Sequence, residues 1–159
     1  MNPLISFTSV KLAYGWLGNM APFPIVYQNQ VWLTSEALFQ AMRYSDVEIK
    51  ELIRAQKSPM AAKMKAKKHK NEMVIITLSP EDVLNMKLCL KLKFDQHPAI
   101  KQKLLNTKEY LIVEDIGNRN GERHLFWGMK NDKGTWQGTN TMGKLLMELR
   151  DEYRALASL

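Results

Sequence analysis

The chain has 159 residues, 45% of them hydrophobic and 25% charged, which is the size and composition of one soluble globular domain and excludes a disordered chain. No apolar run approaches the roughly 20 residues that cross a bilayer. The start of the chain also lacks the charged and apolar parts of a signal peptide. We therefore expect one domain over residues 1–159, located in the cytoplasm, with no membrane partner. Nothing in the sequence specifies its oligomeric state.

The net charge of +7 is concentrated in one stretch of the chain. Residues 43–70 carry nine basic and three acidic side chains, whereas residues 71–159 are nearly balanced. Such a patch, Lys57–Lys70, can attract nucleic acid, a phosphorylated ligand or an acidic partner. The other interpretation is an ordinary solvated, lysine-rich helix.

The first third of the chain is typical of short strands and turns. Pieces rich in β-branched and aromatic residues alternate with glycine, proline and asparagine, and they lie at residues 4–7, 25–27 and 31–33. Further along, short strands are predicted at residues 73–77 and 110–113. Residues 114–141 contain so many glycines and asparagines that we expect a long loop, which in a small domain is usually functional or disordered.

Helices are predicted between and after these pieces. Their starts are marked by side chains that can cap a helix or by proline at its first position, namely Thr34-Ser35, Asp46, Ser58-Pro59, Ser79-Pro80 and Pro98. The clearest helix is the last, whose apolar positions predict one buried face at Met142, Leu145, Leu146, Leu149, Tyr153 and Leu156. The loop before it, residues 134–140, either presents backbone N–H groups to an anion or simply ends in a cap at Asn140 or Thr141.

The helix that begins after Thr34 carries three unlike polar groups on one side. Glu36, Gln40 and Arg43 recur at i, i+4 and i+7, next to an apolar stripe. A carboxylate, an amide and a guanidinium in one row favour a pocket lined from the start of a helix over a plain solvated face. In the first helical turn, Glu36 is favoured in its ionised form by the helix dipole.

Several classes of chemistry find no support in the sequence. The three histidines, His69, His97 and His124, lie at no metal-ligand spacing, and the single cysteine, Cys89, falls in an apolar helical run typical of a buried thiol. The usual nucleotide-binding and serine-nucleophile loops are absent. What remains is carboxylate chemistry at Glu36 or Glu114, with tryptophans near loops (Trp16, Trp32, Trp127 and Trp136) that can pack against a planar ligand.

The order of short motifs resembles one family closely, the YbiA-like or NADAR proteins. The matching pieces are Ile5-Ser6-Phe7, Tyr14-Gly15-Trp16-Leu17-Gly18-Asn19, Trp32-Leu33-Thr34-Ser35-Glu36-Ala37-Leu38-Phe39-Gln40-Ala41, Lys93-Phe94, Val113-Glu114, Phe126-Trp127-Gly128 and the run from Gly138 to Arg150. They span nearly the whole chain, and their succession is more specific than any one of them.

The resemblance implies a small, helix-rich α+β fold with a few short strands, and an enzyme that needs no metal or cofactor. Family members look like N-glycosidases of ribosyl compounds: some act on phosphoribosylated riboflavin-pathway intermediates, others on ADP-ribosylated guanine in nucleic acid. Carried over by motif, Glu36 would be the essential carboxylate. The pocket would be lined by Asn19, Gln40, Trp127, Gly128, Asn140 and Gly143.

The residues suit that chemistry. A carboxylate can stabilise an oxocarbenium-like state or activate the attacking water. We expect Glu36 to take this role, Arg43 to receive a phosphate, and tryptophans such as Trp32 to pack on a base or ribose.

The chain also departs from the family pattern. His124 occupies a position that is acidic in many members, where it either replaces the carboxylate or is simply exposed. Two alternatives therefore remain open: a non-catalytic module that binds ADP-ribose or NAD-like ligands, and a nucleic-acid-binding protein that uses the Lys57–Lys70 patch.

Overall fold

The computed structural model describes residues 3–159, which form seven α-helices and six short strands. In chain order these are β1 (Leu4–Phe7), β2 (Ile25–Tyr27), β3 (Gln30–Trp32), α1 (Ser35–Ala41), α2 (Val47–Arg54), α3 (Pro59–Lys68), α4 (Pro80–Gln96), α5 (Pro98–Leu105), β4 (Leu111–Glu114), α6 (Glu122–Trp127), β5 (Lys130–Asp132), β6 (Thr135–Gln137) and α7 (Thr141–Ala157). This is the helix-rich α+β fold that the sequence predicts. None of the helices in residues 3–159 is both long and apolar enough to span a bilayer.

Contacts divide the chain into two compact units. The helical unit is Asn19–His97, and the terminal unit combines the residues up to Gly18 with Pro98–Leu159.

The helical unit is built around α1, whose seven residues are all buried. Helices α2, α3 and α4 pack against α1, and the hairpin of β2 and β3 packs on α4 through β2. The hairpin turns at Gln28 and Asn29, both with positive φ, as tight antiparallel hairpins require.

Side-chain caps begin four helices of this unit at the predicted places. Thr34, Asp46, Ser58 and Ser79 each accept a hydrogen bond from a backbone N–H in the first turn of α1, α2, α3 and α4. The predicted strand at residues 73–77 is wrong. Instead of pairing with a strand, the N–H groups of Val74 and Ile75 both donate to the carbonyl oxygen of Arg43, and this segment leads into α4.

The terminal unit rests on the parallel pair of β1 and β4, in which Ile5 lies opposite Ile112. Helix α7 packs against β4 and against α5 and α6. Most of the predicted buried face of α7 is confirmed, from Met142 to Tyr153, but Leu156 is 60% exposed because it lies in the last turn of the helix.

The predicted loop over residues 114–141 is wrong in part. It contains α6 and a hairpin of β5 and β6, which turns through Lys133 and Gly134, both with positive φ. The glycines and asparagines lie at the breaks between these elements, where such residues are common in turns. Each element has six residues or fewer, so the turn residues dominate the composition of the segment.

Candidate active site

Glu36 lies in the first turn of α1 and is 7% exposed. Each of its carboxylate oxygens accepts one hydrogen bond: Oε2 from the side-chain Nδ2 of Asn19 at 2.6 Å, and Oε1 from Nε2 of Gln40 at 2.8 Å. Both donors are neutral amides, so they orient the carboxylate without an ion pair. A buried carboxylate held in one orientation by two amides is suited to stabilise positive charge that develops nearby.

Asn19 is itself fixed by the start of α1. The hydroxyl of Ser35, which is fully buried, donates to the Asn19 side-chain oxygen at 2.5 Å and to its backbone oxygen at 3.1 Å. The backbone N–H of Glu36 also donates to the carbonyl oxygen of Asn19. Of the two predicted capping residues only Thr34 caps the helix, while Ser35 ties the preceding loop to it.

The row of Glu36, Gln40 and Arg43 forms one buried network, as its spacing predicts. The Arg43 guanidinium is 4.5 Å from the Phe39 ring centroid, and its Nη1 lies 3.5 Å from Oε1 of Gln40. Its Nε and Nη2 donate to the two oxygens of the Asp82 carboxylate at 2.8 and 2.7 Å. Asp82 was not a candidate from the sequence, because its place three residues after Ser79 is typical of an ordinary helix start.

Lys93, on α4, is a second residue that the sequence analysis missed as a site candidate. Its side chain is fully buried, with Nζ 5.4 Å from the Phe23 ring centroid and 5.2 Å from that of Phe94. Burial lowers the pKa of this amine to about 7. The signal in the sequence was a lysine on the apolar stripe of α4, which continues from Met86 and Cys89.

Cys89 lies on α4 and is close enough to Glu36 to be affected by its charge. It precedes Lys93 by one helical turn and is fully buried, as predicted. Burial raises the pKa of the Cys89 thiol well above its usual range, and the negative charge of Glu36 raises it further. The thiol is therefore protonated and unreactive. Its Sγ lies 3.5 Å from Sδ of Met42, at the end of α1.

Trp32, the last residue of β3, is buried with only 3% of its surface exposed. Its indole Nε1 has no hydrogen-bond partner within residues 3–159. A buried donor without a partner is uncommon in native proteins.

In the terminal unit, Asn140 joins the start of α7 to β4. Its side-chain Nδ2 donates to the carbonyl oxygen of Ile112 at 2.9 Å, and its Oδ1 accepts from the backbone N–H of Glu114 at 3.1 Å. Asn140 has φ 57° and its side chain does not cap the helix, which corrects the simpler of the two interpretations offered for it. The side chain holds α7 against β4 instead.

Two glycines allow the close contacts around Asn140. A Cβ on Gly143 would lie 2.1 Å from the carbonyl oxygen of Ile112, and one on Gly128 would lie 2.5 Å from that of Glu114. The backbone N–H of Asn140 donates to the carbonyl oxygen of Gly128 at 3.2 Å. Four of the predicted site residues, Glu114, Gly128, Asn140 and Gly143, are thus brought together at the end of β4.

The remaining candidates of the terminal unit lie on α6, just before Gly128. Trp127 is its last residue and contacts the Phe126 ring edge to face, with 5.1 Å between centroids. His124 is on the same helix and half-buried, so the interpretation that it is simply exposed is wrong.

Comparison with known proteins places the molecule in a class. The chain superposes on the NMR structure of the Escherichia coli protein YbiA with a TM-score of 0.78 and 32% identity, covering 98% of this chain and 88% of that one. The NADAR domain model matches residues 6–154. The chain belongs to the NADAR family, which confirms the resemblance seen in its motifs.

Two relatives connect the family to named activities. The chain is 35% identical over 151 residues to N-glycosidase YbiA of Shigella boydii, which covers 94% of this chain and 88% of the relative. A more distant relative is a riboflavin biosynthesis protein of Vibrio vulnificus, 26% identical, in which the match covers 89% of this chain and 36% of the longer relative.

Proposed function

We propose that this protein is an N-glycosidase that hydrolyses the N-glycosidic bond of a ribosylated or phosphoribosylated substrate. The observation that carries the proposal is the buried Glu36 carboxylate, oriented by Asn19 and Gln40. Relatives named N-glycosidase share the fold and a third of the residues, which supports the same reaction class.

In the proposed reaction the bond between the anomeric carbon and the base nitrogen breaks, and its electron pair leaves with the nitrogen. Positive charge develops on the sugar, where Glu36 stabilises it. Water then forms the new C–O bond, with Glu36 placed to accept its proton.

The leaving nitrogen needs a proton, and Lys93 is the group that we assign to supply it. With a pKa of about 7, the amine is populated in both its protonated and its neutral form at neutral pH. His124 and Glu114 are the alternatives in the terminal unit.

The other predicted residues take binding roles in this proposal. Trp32 remains a predicted contact for a base or ribose. Binding roles for Trp127, Gly128, Asn140 and Gly143 are carried over from the family motifs. The expected phosphate contact of Arg43 would have to use Nη1, since Nε and Nη2 bind Asp82. We therefore give Arg43 chiefly a positioning role through Gln40.

The substitution Glu36→Gln tests the catalytic assignment. Because Gln is nearly isosteric but neutral, we expect the fold to persist and turnover to fall about 100-fold or more, as for loss of a principal electrostatic or acid–base group. Purified protein is incubated with a phosphoribosylated pyrimidine amine and, separately, with ADP-ribosylated guanine in an oligonucleotide, and products are measured by mass spectrometry.

Glu48→Gln is the matched control, because Glu48 is an exposed glutamate in the first turn of α2. It should retain full turnover. Equal rates for the Glu36 variant and the wild type would overturn the catalytic role. Tight binding of ADP-ribose by the wild type, with no cleavage of either substrate, would favour the non-catalytic binding module instead.

The substrate is either ADP-ribosylated nucleic acid, which would also be a binding partner, or a small phosphoribosylated compound. Lys57, Lys67, Lys68 and Lys70 are exposed on and around α3, which is compatible with a nucleic-acid substrate held by its phosphates. The relative named for riboflavin biosynthesis supports the soluble substrate. Product formation from only one of the two substrates decides between them.

A further inference from the structure

The terminal unit contains a groove to which the proposed reaction assigns no role. Its volume is about 470 Å³, and its lining residues are Ile5, Ala13, Tyr14, Trp16, Lys103, Asn106, Thr107 and Tyr110. This volume lies within the range of roughly 300–1,000 Å³ that is typical of small-molecule sites. None of the lining residues belongs to the substrate site proposed above.

Aromatic side chains form the walls of the groove. Tyr14 is 41% exposed and Tyr110 is 39% exposed, and the Trp16 ring is half-buried. Aromatic rings that face a concave, solvent-filled surface favour stacking with another planar ring.

Polar groups that donate hydrogen bonds lie beside these rings. The ammonium of Lys103 is 5.9 Å from the Trp16 ring centroid, at the outer limit of a cation–π contact. Asn106 accepts a hydrogen bond from Gln102 through Oδ1, which leaves its Nδ2 to donate. The side-chain groups at this end of the groove therefore suit an acceptor such as an anion.

A buried arginine lies directly behind the same wall. Arg150 is 4% exposed, and its Nη1 donates to the Thr107 hydroxyl at 2.9 Å and to the Tyr110 carbonyl oxygen at 2.8 Å. Burial lowers the pKa of Arg150, and the charge of Arg154 lowers it further, against smaller opposing effects of Asp151 and Glu109. Within residues 3–159 its Nε has no hydrogen-bond partner. A buried guanidinium whose charge is disfavoured by burial would be stabilised by an anion bound in the groove.

We propose that this groove is a second binding site, which takes a free nucleoside monophosphate. The base stacks on the Tyr14 and Trp16 walls, and the phosphate lies near Lys103 and the Asn106 amide, above the Arg150 charge. The proposal stands apart from the N-glycosidase proposal, because no residue is shared between the two sites.

Fluorine NMR of protein labelled with 5-fluorotryptophan tests this site without relying on turnover. The Trp16→Phe variant identifies the Trp16 resonance. In the Glu36→Gln background, GMP or AMP should shift that resonance to saturation. The corresponding nucleoside, or inorganic phosphate alone, should require at least a fivefold higher concentration.

Lys103→Gln should weaken GMP binding about five- to tenfold, because it removes the nearest exposed charge. Lys144→Gln, an exposed lysine on α7 of the same unit, is the matched control and should leave the affinity unchanged. The proposal is overturned if the Trp16 resonance does not move at millimolar GMP, or if both lysine variants weaken binding equally. It is also overturned if phosphate alone binds as well as GMP.

Discussion

At the scale of single residues, the helical unit buries two ionisable side chains, Glu36 and Lys93, in different surroundings. Glu36 is held by two amides, whereas Lys93 lies among aromatic rings and is neutralised readily. The buried Arg43 is compensated by a bidentate contact with Asp82. Because the pKa of Lys93 is about 7, the dependence of stability on pH tests its burial directly.

The free energy of unfolding should depend on Lys93 between pH 7 and 10. The pKa is about 7 in the folded protein and 10.5 in the ordinary case, so across this window the unfolded chain binds more protons. Stability therefore rises with pH, by at most about 1.4 kcal/mol per pH unit from this one group, and the contribution is lost as pH falls to 7. Urea unfolding of Lys93→Met should lack this slope.

Lys91→Gln provides the comparison, because Lys91 lies on the same helix, about half exposed, and pairs with Asp95. It should keep the wild-type slope. Lys93→Met should also lose turnover. A Lys93→Met protein with both the wild-type pH slope and wild-type turnover would contradict the burial and the assigned role together.

At the scale of elements, the sequence predicted the helices that begin with a capping side chain or a proline. Asp46, Ser58, Ser79 and Pro98 begin helices where expected, because a cap or a proline acts within a few residues of itself. The strand predicted at 73–77 failed for the opposite reason. A strand needs a partner elsewhere in the chain, and these apolar residues find only the Arg43 carbonyl.

In the candidate site, too, the contacts between residues close in sequence were predictable, whereas the contacts between distant residues were not. The helical spacing of Glu36, Gln40 and Arg43 placed them in one network, but the partner of Arg43 is Asp82, which lies 39 residues away on another helix. The role of Asn140 could not be read locally either. Its two side-chain bonds go to β4, so its unusual backbone angle is set by tertiary packing.

Gly143 gives a prediction at this scale, since the backbone of α7 lies close to β4 there. Replacing glycine by alanine inside a helix normally stabilises it by about 0.5–1 kcal/mol. Here the added Cβ would lie 2.1 Å from the Ile112 carbonyl oxygen and 2.4 Å from the Asn140 amide. Gly143→Ala should therefore lower the free energy of unfolding by about 1–3 kcal/mol, as measured by urea denaturation.

Lys144→Ala is the control for helix propensity, because Lys144 is the next residue of α7 and is exposed. It should change stability by no more than about 0.5 kcal/mol. If Gly143→Ala instead stabilised the protein, the close packing of α7 on β4 through Asn140 would not hold in solution.

At the scale of the whole molecule, nucleic acid can be attracted either by the overall positive charge or by the lysines clustered at α3. The net charge of +7 attracts any polyanion weakly, whereas exposed Lys57, Lys67, Lys68 and Lys70 concentrate charge at α3. The two cases predict different losses of nucleic-acid affinity when the same number of charges is removed at different places. A comparison of two double variants with the same net charge therefore distinguishes them.

The comparison is between Lys67→Gln/Lys68→Gln and Lys133→Gln/Lys144→Gln, each of which lowers the net charge by two. Binding of a single-stranded oligonucleotide is measured by fluorescence anisotropy from 50 to 200 mM salt. If α3 holds the phosphates, the first pair should reduce the slope of log K against log salt by about 1.4, at roughly 0.7 for each lost contact. The second pair should leave the slope nearly unchanged, and Glu36→Gln should affect neither slope nor affinity. Equal losses for the two pairs would show that the overall charge attracts the polymer, and would remove the Lys57–Lys70 patch as support for a nucleic-acid substrate.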